Sequence, residues 1–338
     1  MRIEENASLE PYNTLRVAAR CRFLVQLQSL SDVDEFIADA RFRHVPRMIL
    51  GGGSNLLLRG DFDGVVARVA LRGMETVRSD TGAVYLRAAA GEDWHTFVVW
   101  TIEHGYAGLE NLSLIPGTVG GAPIQNIGAY GVELSDVLHC VEAVHTVSGE
   151  ARTFDKNACK FSYRESVFKR GERANYIITA ITVRLPHTPR YVTDYHGVRQ
   201  ALRDNDITEP NAHSISQAVC QLRRAKLPDP DKLGNAGSFF KNPVLSDARL
   251  TSLRRRHSQL PAYPQANGDY KIPAAWLLEQ CGWKGRRQGD AGFYDRHALV
   301  LVNHGHASGA ELLALADRAR QDVLDRFGIE LEFEPQII

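Results

Sequence analysis

The chain has no excess charge of either sign, no long apolar run and few cysteines, and each absence removes a class of function. Lys plus Arg and Asp plus Glu stand at 40 each among 338 residues, so no global field gathers nucleic acid or an anionic membrane surface. An anionic ligand must therefore be held by local groups. No window approaches the roughly 18 uninterrupted apolar residues of a membrane-spanning helix, so no membrane insertion is expected. The opening residues, Met1-Arg2-Ile3-Glu4-Glu5-Asn6, lack the basic and apolar pattern of a secretory signal, and the expected location is the cytoplasm. Cys21, Cys140, Cys159, Cys220 and Cys281 are scattered and form no C-x-x-C pair or zinc-ligand spacing. They read as reduced, mostly buried thiols, and no metal site is expected.

What is present fits a protein of two or three domains in the α/β or α+β class, with 44% hydrophobic and 24% charged residues and both helical and strand patterns. The spacing predicts a helix from about Ser31, taken as its N-cap, with Val33, Phe36, Ile37 and Ala40 on one face. Val45 to Leu50 follows as a buried strand. Strands dominate from about 72 to 210, including Val84 to Ala90 and Tyr176 to Leu185, with one helix from Trp94 to His104 stopped by Gly105. A capping box Ser214-x-x-Gln217 predicts the start of another helix, and Ser308-x-x-Glu311 opens a long amphipathic one that Gly328 ends. Ile329 to Glu334 alternates like a strand. Of three basic clusters, Arg223-Arg224-Ala225-Lys226 is the one of functional interest; the others read as solvated faces or loops.

Two glycine-rich stretches carry the chemistry. Gly51-Gly52-Gly53-Ser54-Asn55 directly follows a predicted strand, where unhindered backbone N–H groups can converge on a phosphate. It is not a Walker loop, since no Lys-Ser/Thr follows, and no helix is predicted after it as a Rossmann turn requires. A tight structural turn explains the same three glycines equally well. The second stretch, Leu114 to Gly131, places five glycines within residues 117–131 among amide and hydroxyl side chains. Such a loop can press its backbone against a flat heteroaromatic ring, or it can be an irregular connection.

These two loops, with Ser162-Tyr163-Arg164-Glu165-Ser166, Gly234-Asn235-Ala236-Gly237-Ser238-Phe239-Phe240-Lys241-Asn242-Pro243 and Leu331-Glu332-Phe333-Glu334, occur in the order found in UDP-N-acetylenolpyruvoylglucosamine reductases, and over nearly its whole length the chain resembles that MurB family. The resemblance implies an α+β, three-domain FAD-binding fold of the type shared with PCMH-type FAD-linked oxidases, with a small C-terminal α/β substrate domain. The expected divisions are 1–71 (joined by a C-terminal strand at 329–338), 72–210 and 211–328. It further implies a cytoplasmic monomer that holds FAD noncovalently, takes a hydride from NADPH and reduces an enolpyruvyl-bearing UDP-sugar in peptidoglycan synthesis.

Family motifs then assign residues. Arg164 is expected to steady the substrate carboxylate, although an ion pair with Glu165 is the plainer reading. Ser238 matches the proton donor, and Glu334 the catalytic glutamate. Strand alternation places Glu332 and Glu334 on one face, so only the motif chooses between them. FAD is expected against Gly51, Gly52, Gly53, Ser54 and Asn55 of the first loop and Pro116, Gly117, Thr118, Gly120, Gly121, Gln125, Asn126, Gly128, Ala129 and Tyr130 of the second. Tyr163, Lys226 and Asn242 match substrate-contacting positions. Tyr195 matches the tyrosine that closes over the UDP diphosphate in one family subclass. The competing expectations are an FAD-linked oxidase of the same fold and a nonenzymatic flavin- or nucleotide-binding regulator.

Overall fold

The structure, a computed structural model, describes residues 1–169, 175–265 and 267–338, with the backbone alone at His196. The chain forms two compact units of α+β architecture. The first comprises Met1–Ala7, Cys21–Gly53 and Asp63–Ala225, and the second Ser8–Arg20, Ser54–Phe62 and Lys226–Ile338.

In the first unit, the strands Arg2–Ser8, Arg20–Leu27, Phe62–Val69 and Arg47–Leu50 make a four-stranded sheet in that spatial order. Arg47–Leu50 pairs parallel to Phe62–Val69, and the chain leaves its end directly into the first glycine run. A five-stranded antiparallel sheet follows, ordered Ala151–Asp155, Leu138–His145, Tyr176–Pro186, Ala83–Ala89 and Met74–Ser79. One apolar core unites Val25, Phe36, Val65 and Phe42 of the first sheet and its helix with Leu86, Phe97, Phe154 and Ile181 of the second. The helices His196–Asp204 and Ala212–Lys226 form a hairpin with a small core of its own, made by Val198, Ala201, Leu202, Ile215, Ala218 and Val219.

In the second unit, Gly234–Ser238, Val300–Asn303, Ala291–Phe293 and Arg287–Gln288 form a sheet in that order, against which the helix Gly309–Phe327 packs. Leu56–Leu57, just past the first glycine run, pairs parallel with Gln336–Ile337 at the C-terminus.

Several helix boundaries differ from expectation because the side chains that cap them lie elsewhere. The first helix is Leu30–Ala38, not one beginning at Ser31: Ser29 accepts from the Asp32 N–H while the Asp32 carboxylate accepts from the Ser29 N–H. The helix expected from Ser214 begins at Ala212, because Asn211 and Ser214 satisfy each other's N–H groups reciprocally. Gln217 instead meets His213. The Ser308–Glu311 capping box and the left-handed Gly328 stop are as predicted.

Residues 329–335 do not form the expected strand. Among the described residues one bridge, Phe240 to Phe333, joins them to the chain beside Ser238, where Phe333 packs against Phe239 and Phe240. Glu332 and Glu334 accordingly differ in exposure. Glu332 is exposed and pairs with Lys241 at 3.2 Å, whereas Glu334 is 9% exposed.

Gly309 abuts the chain after the first glycine run so closely that an added Cβ would lie 1.7 Å from the Leu58 carbonyl oxygen. Gly309→Ala is expected to cost about 2 kcal/mol or more through forced backbone displacement. Its melting temperature in a thermal scan should fall by several degrees relative to wild type.

Candidate active site

The first glycine run is a turn built for backbone approach. A Cβ at Gly51 would lie 2.6 Å from the Thr118 hydroxyl oxygen, and one at Gly52 would lie 2.8 Å from the Gly117 Cα. Only glycine lets this turn reach the second loop. Gly53 adopts a left-handed φ of 64°. In the second unit, Asn55 donates to the Glu334 carbonyl at 3.4 Å, and its own carbonyl accepts from Gln336.

The second loop is pinned at its start by the chain that leaves Ala83–Ala89. Trp94 N–H donates to the Gly117 carbonyl, Val119 N–H to Glu92 and Gly120 N–H to Ala90. A Cβ on Gly120 would meet the Ala90 Cβ at 2.6 Å. The Thr118 hydroxyl is buried without a hydrogen-bond partner among the described residues. A buried hydroxyl of this kind normally has a partner, so it suits a polar atom of a bound ligand. Together with the glycine cradle, it fits a phosphorylated, planar cofactor. Asn126 is different: its side chain donates to Glu133 and accepts from the Ser135 N–H, so its amide is engaged in holding the loop. Gly128–Ala129 pairs with Val132–Glu133 through a turn at Tyr130 (φ 50°) and Gly131 (φ 86°), the doubly left-handed geometry favoured in two-residue hairpins.

Leu114, at the head of the loop, has φ 59° and is held from both sides. Its N–H donates to His95 Nδ1 at 3.0 Å, and its carbonyl accepts from Arg223 Nε at 3.1 Å. Burial pushes the Arg223 guanidinium below its ordinary range, and among the described residues it forms no ion pair with a carboxylate. Burial also raises the Tyr130 phenol, with Arg223 acting in the opposite direction.

Arg164 sits at the tip of a tight turn closed by the Ser162–Glu165 bridge, with φ 56°. Its guanidinium donates to the Gly128 carbonyl at 2.7 Å and lies over the Tyr163 ring. Glu165 lies 3.7 Å from Lys169. A strained residue held in place by its surroundings marks many working sites.

In the second unit, Ser238 ends the strand Gly234–Ser238, whose pairing with Val300–Asn303 shifts register between Asn235 and Ser238. The bulge turns on Gly237 (φ 67°), whose N–H donates to the Asn235 side chain. That same side chain donates to Pro228, binding the loop after Lys226 to the strand. Bulges of this kind re-aim side chains. Glu334 N–H donates to the Phe239 carbonyl, which places Glu334 beside the residue that follows Ser238. Asn242 caps the helix Ala274–Gln280 by accepting from the Ala274 N–H, and Lys226 is exposed at the end of its helix. Tyr195 stands at the start of its helix, 51% exposed, with its ring edge-on to Tyr130 at 5.2 Å.

Residues 229–338 match the profile described as UDP-N-acetylenolpyruvoylglucosamine reductase, C-terminal domain, and residues 21–155 match an FAD binding domain. The chain is 47% identical to the UDP-N-acetylenolpyruvoylglucosamine reductase of Pseudomonas putida, over 99% of its own length and 98% of that protein's. The chain belongs to the UDP-N-acetylenolpyruvoylglucosamine reductase family. The crystal structure of the MurB enzyme of Thermus caldophilus is similar at a TM-score of 0.67 and 25% identity, covering 100% of this chain and 99% of that one. A solvent-stable cholesterol oxidase shares the fold alone, at a TM-score of 0.50 and 12% identity, over 98% of this chain and 86% of the other. This member of the reductase family is an oxidoreductase and a flavoprotein that binds FAD. Among the described residues no helix is long and apolar enough to cross a membrane, and no cluster of His, Cys, Asp and Glu could hold a metal ion.

Asn111, His95 and Asn235 were not singled out from sequence. Each acts by bonding to main chain made neighbouring by the fold, a relation that leaves no local pattern. The histidines carry a pH consequence. His95, His297 and His304 all have pKa values lowered from 6.5 chiefly by burial, so the fold disfavours their protonated forms. Their contribution to stability is full above pH 6.5 and declines as pH falls below it, because the unfolded chain then binds more protons. Thermal scans should show melting temperature dropping between about pH 6.5 and 5, and His95→Gln should blunt part of that drop.

Proposed function

We propose that Arg164, Ser238 and Glu334 carry out the reduction of UDP-N-acetyl-3-O-(1-carboxyvinyl)-glucosamine to UDP-N-acetylmuramate. Bound FAD would supply the hydride for one carbon of the enolpyruvyl double bond, with NADPH as the reductant. Hydride addition there pushes negative charge onto the adjacent carboxylate, and a proton delivered to the other carbon then discharges it.

Arg164 suits that carboxylate. Its fork is permanently charged, and the Gly128 carbonyl and the Tyr163 ring restrict its rotation. Ser238 gives its hydroxyl proton to the carbon, and the oxyanion left behind recovers a proton from solvent. Serine is a weak acid, so its position must be fixed, and the bulge at Gly237 does this. That bulge is the observation that most favours the assignment. Glu334, buried where Glu332 is exposed, is the better candidate to assist the enol form of the substrate.

Lys226 and Tyr195 serve the UDP diphosphate, and Tyr163 and Asn242 the remainder of the substrate. The residues expected to hold FAD are Gly51, Gly52, Gly53, Ser54 and Asn55 with Pro116, Gly117, Thr118, Gly120, Gly121, Gln125, Gly128, Ala129 and Tyr130; any contact from Asn126 would come through its backbone. The enzyme works as a cytoplasmic monomer.

Two variants test these roles. Ser238→Ala should still let NADPH bleach the flavin, while turnover of the UDP-sugar falls by about 10²-fold, equivalent to about 3 kcal/mol. Turnover within a few-fold of wild type would reject Ser238 as donor. Gly52→Ala should purify with little or no flavin, read from its visible absorbance at equal protein concentration; full flavin content would remove the first loop from the cofactor site.

A further inference from the structure

The segment Glu110–Leu114 bonds in two directions. Asn111, 1% exposed, directs both hydrogens of its side-chain amide to main-chain carbonyls, those of Tyr130 and Val192, each at 2.9 Å. Tyr130 is the turn residue of the second glycine loop, and Val192 belongs to the chain leading into the helical hairpin that begins at Tyr195. Ser113, also buried, meets the Ser216 hydroxyl at 2.8 Å on the second helix of that hairpin. The Leu114 carbonyl accepts from Arg223 on the same helix. Gly131 closes the gap from the other side, since a Cβ there would lie 3.1 Å from the Val192 side chain.

We propose that Asn111 is a positioning residue that latches the glycine loop to the Tyr195 hairpin, so that the tyrosine is already placed for the UDP diphosphate when the cofactor loop is ordered. The inference rests on Tyr195 serving that diphosphate. Physically, the amide bridges two strained or irregular stretches: Tyr130 holds φ 50°, and the residues at 187–195 have no regular structure. Removing the bridge releases both carbonyls inside the protein and frees the root of the hairpin. Tyr195, half exposed and touching Tyr130 only by a ring edge, would then lose its fixed position. The groups that transfer hydride and proton are untouched, so binding rather than chemistry should suffer.

The test is Asn111→Leu, which keeps the side-chain size and removes both donors. KM for the UDP-sugar should rise at least about 10-fold, with kcat at saturating FAD changed less than about 3-fold. Amide hydrogen exchange over residues 191–204 should accelerate. In a cycle with Tyr195→Ala, the double variant should have the KM of the worse single variant, because both changes remove the same placed ring. An unchanged KM, or multiplicative effects in the cycle, would overturn the proposal, as would a lower melting temperature with neither KM nor exchange altered. If Asn111→Leu does not fold, Asn111→Ser, whose single hydroxyl can reach at most one carbonyl, gives the same readouts. A wild-type protein inactive on the UDP-sugar would instead refute the substrate assignment, and hydrogen exchange would still report on the latch.

Discussion

Two loops meet backbone to backbone where Gly51 and Gly52 face Gly117 and Thr118, and there is no room for a side chain on either glycine. Each loop is anchored by its own sheet of the first unit, one running from the end of Arg47–Leu50 and the other tied to the chain that leaves Ala83–Ala89. A meeting of this kind presents peptide groups rather than side chains, which suits a ligand that carries phosphates and a flat ring. It also leaves the Thr118 hydroxyl buried without a hydrogen-bond partner among the described residues.

The surrounding residues keep that meeting in place by holding main chain in positions it does not favour. Leu114, Asn126, Tyr130 and Arg164 all have left-handed φ values without being glycine. Each has a tether: His95 and Arg223 for Leu114, Glu133 and Ser135 for Asn126, Asn111 for Tyr130, and the Gly128 carbonyl for Arg164. Such conformations cost of order 1–3 kcal/mol each and persist only where neighbours enforce them. Their concentration around one loop links the sequence, rich in glycine and amides there, to a rigid platform and so to a reaction that needs its groups placed in advance.

Much of this was legible from sequence, for physical reasons that differ by element. Glycine runs are readable because the absence of a Cβ is itself the signal, and the Ser308 capping box because its two partners lie three residues apart. Ser29 was missed as a cap because Ser31 offers the same pattern two residues on, and helix geometry alone cannot rank them. The split between Glu332 and Glu334 was hidden because it depends on Phe333 packing with Phe239 and Phe240, a contact across about ninety residues of chain. The roles proposed for Arg164, Ser238 and Glu334 rest on motif order; taken singly, Arg164 would read as an ion pair and Ser238 as a turn residue.

A flavin held by glycine loops is coupled to reduction of one particular UDP-sugar. The most direct measurement is NADPH oxidation by the purified yellow protein, followed at constant enzyme with and without the enolpyruvyl UDP-sugar under anaerobic conditions. Catalytic oxidation of NADPH is expected only when that sugar is present, with one UDP-N-acetylmuramate formed per NADPH consumed. Flavin that turns over with oxygen but never with the sugar, or a colourless protein that FAD does not reconstitute, would contradict it.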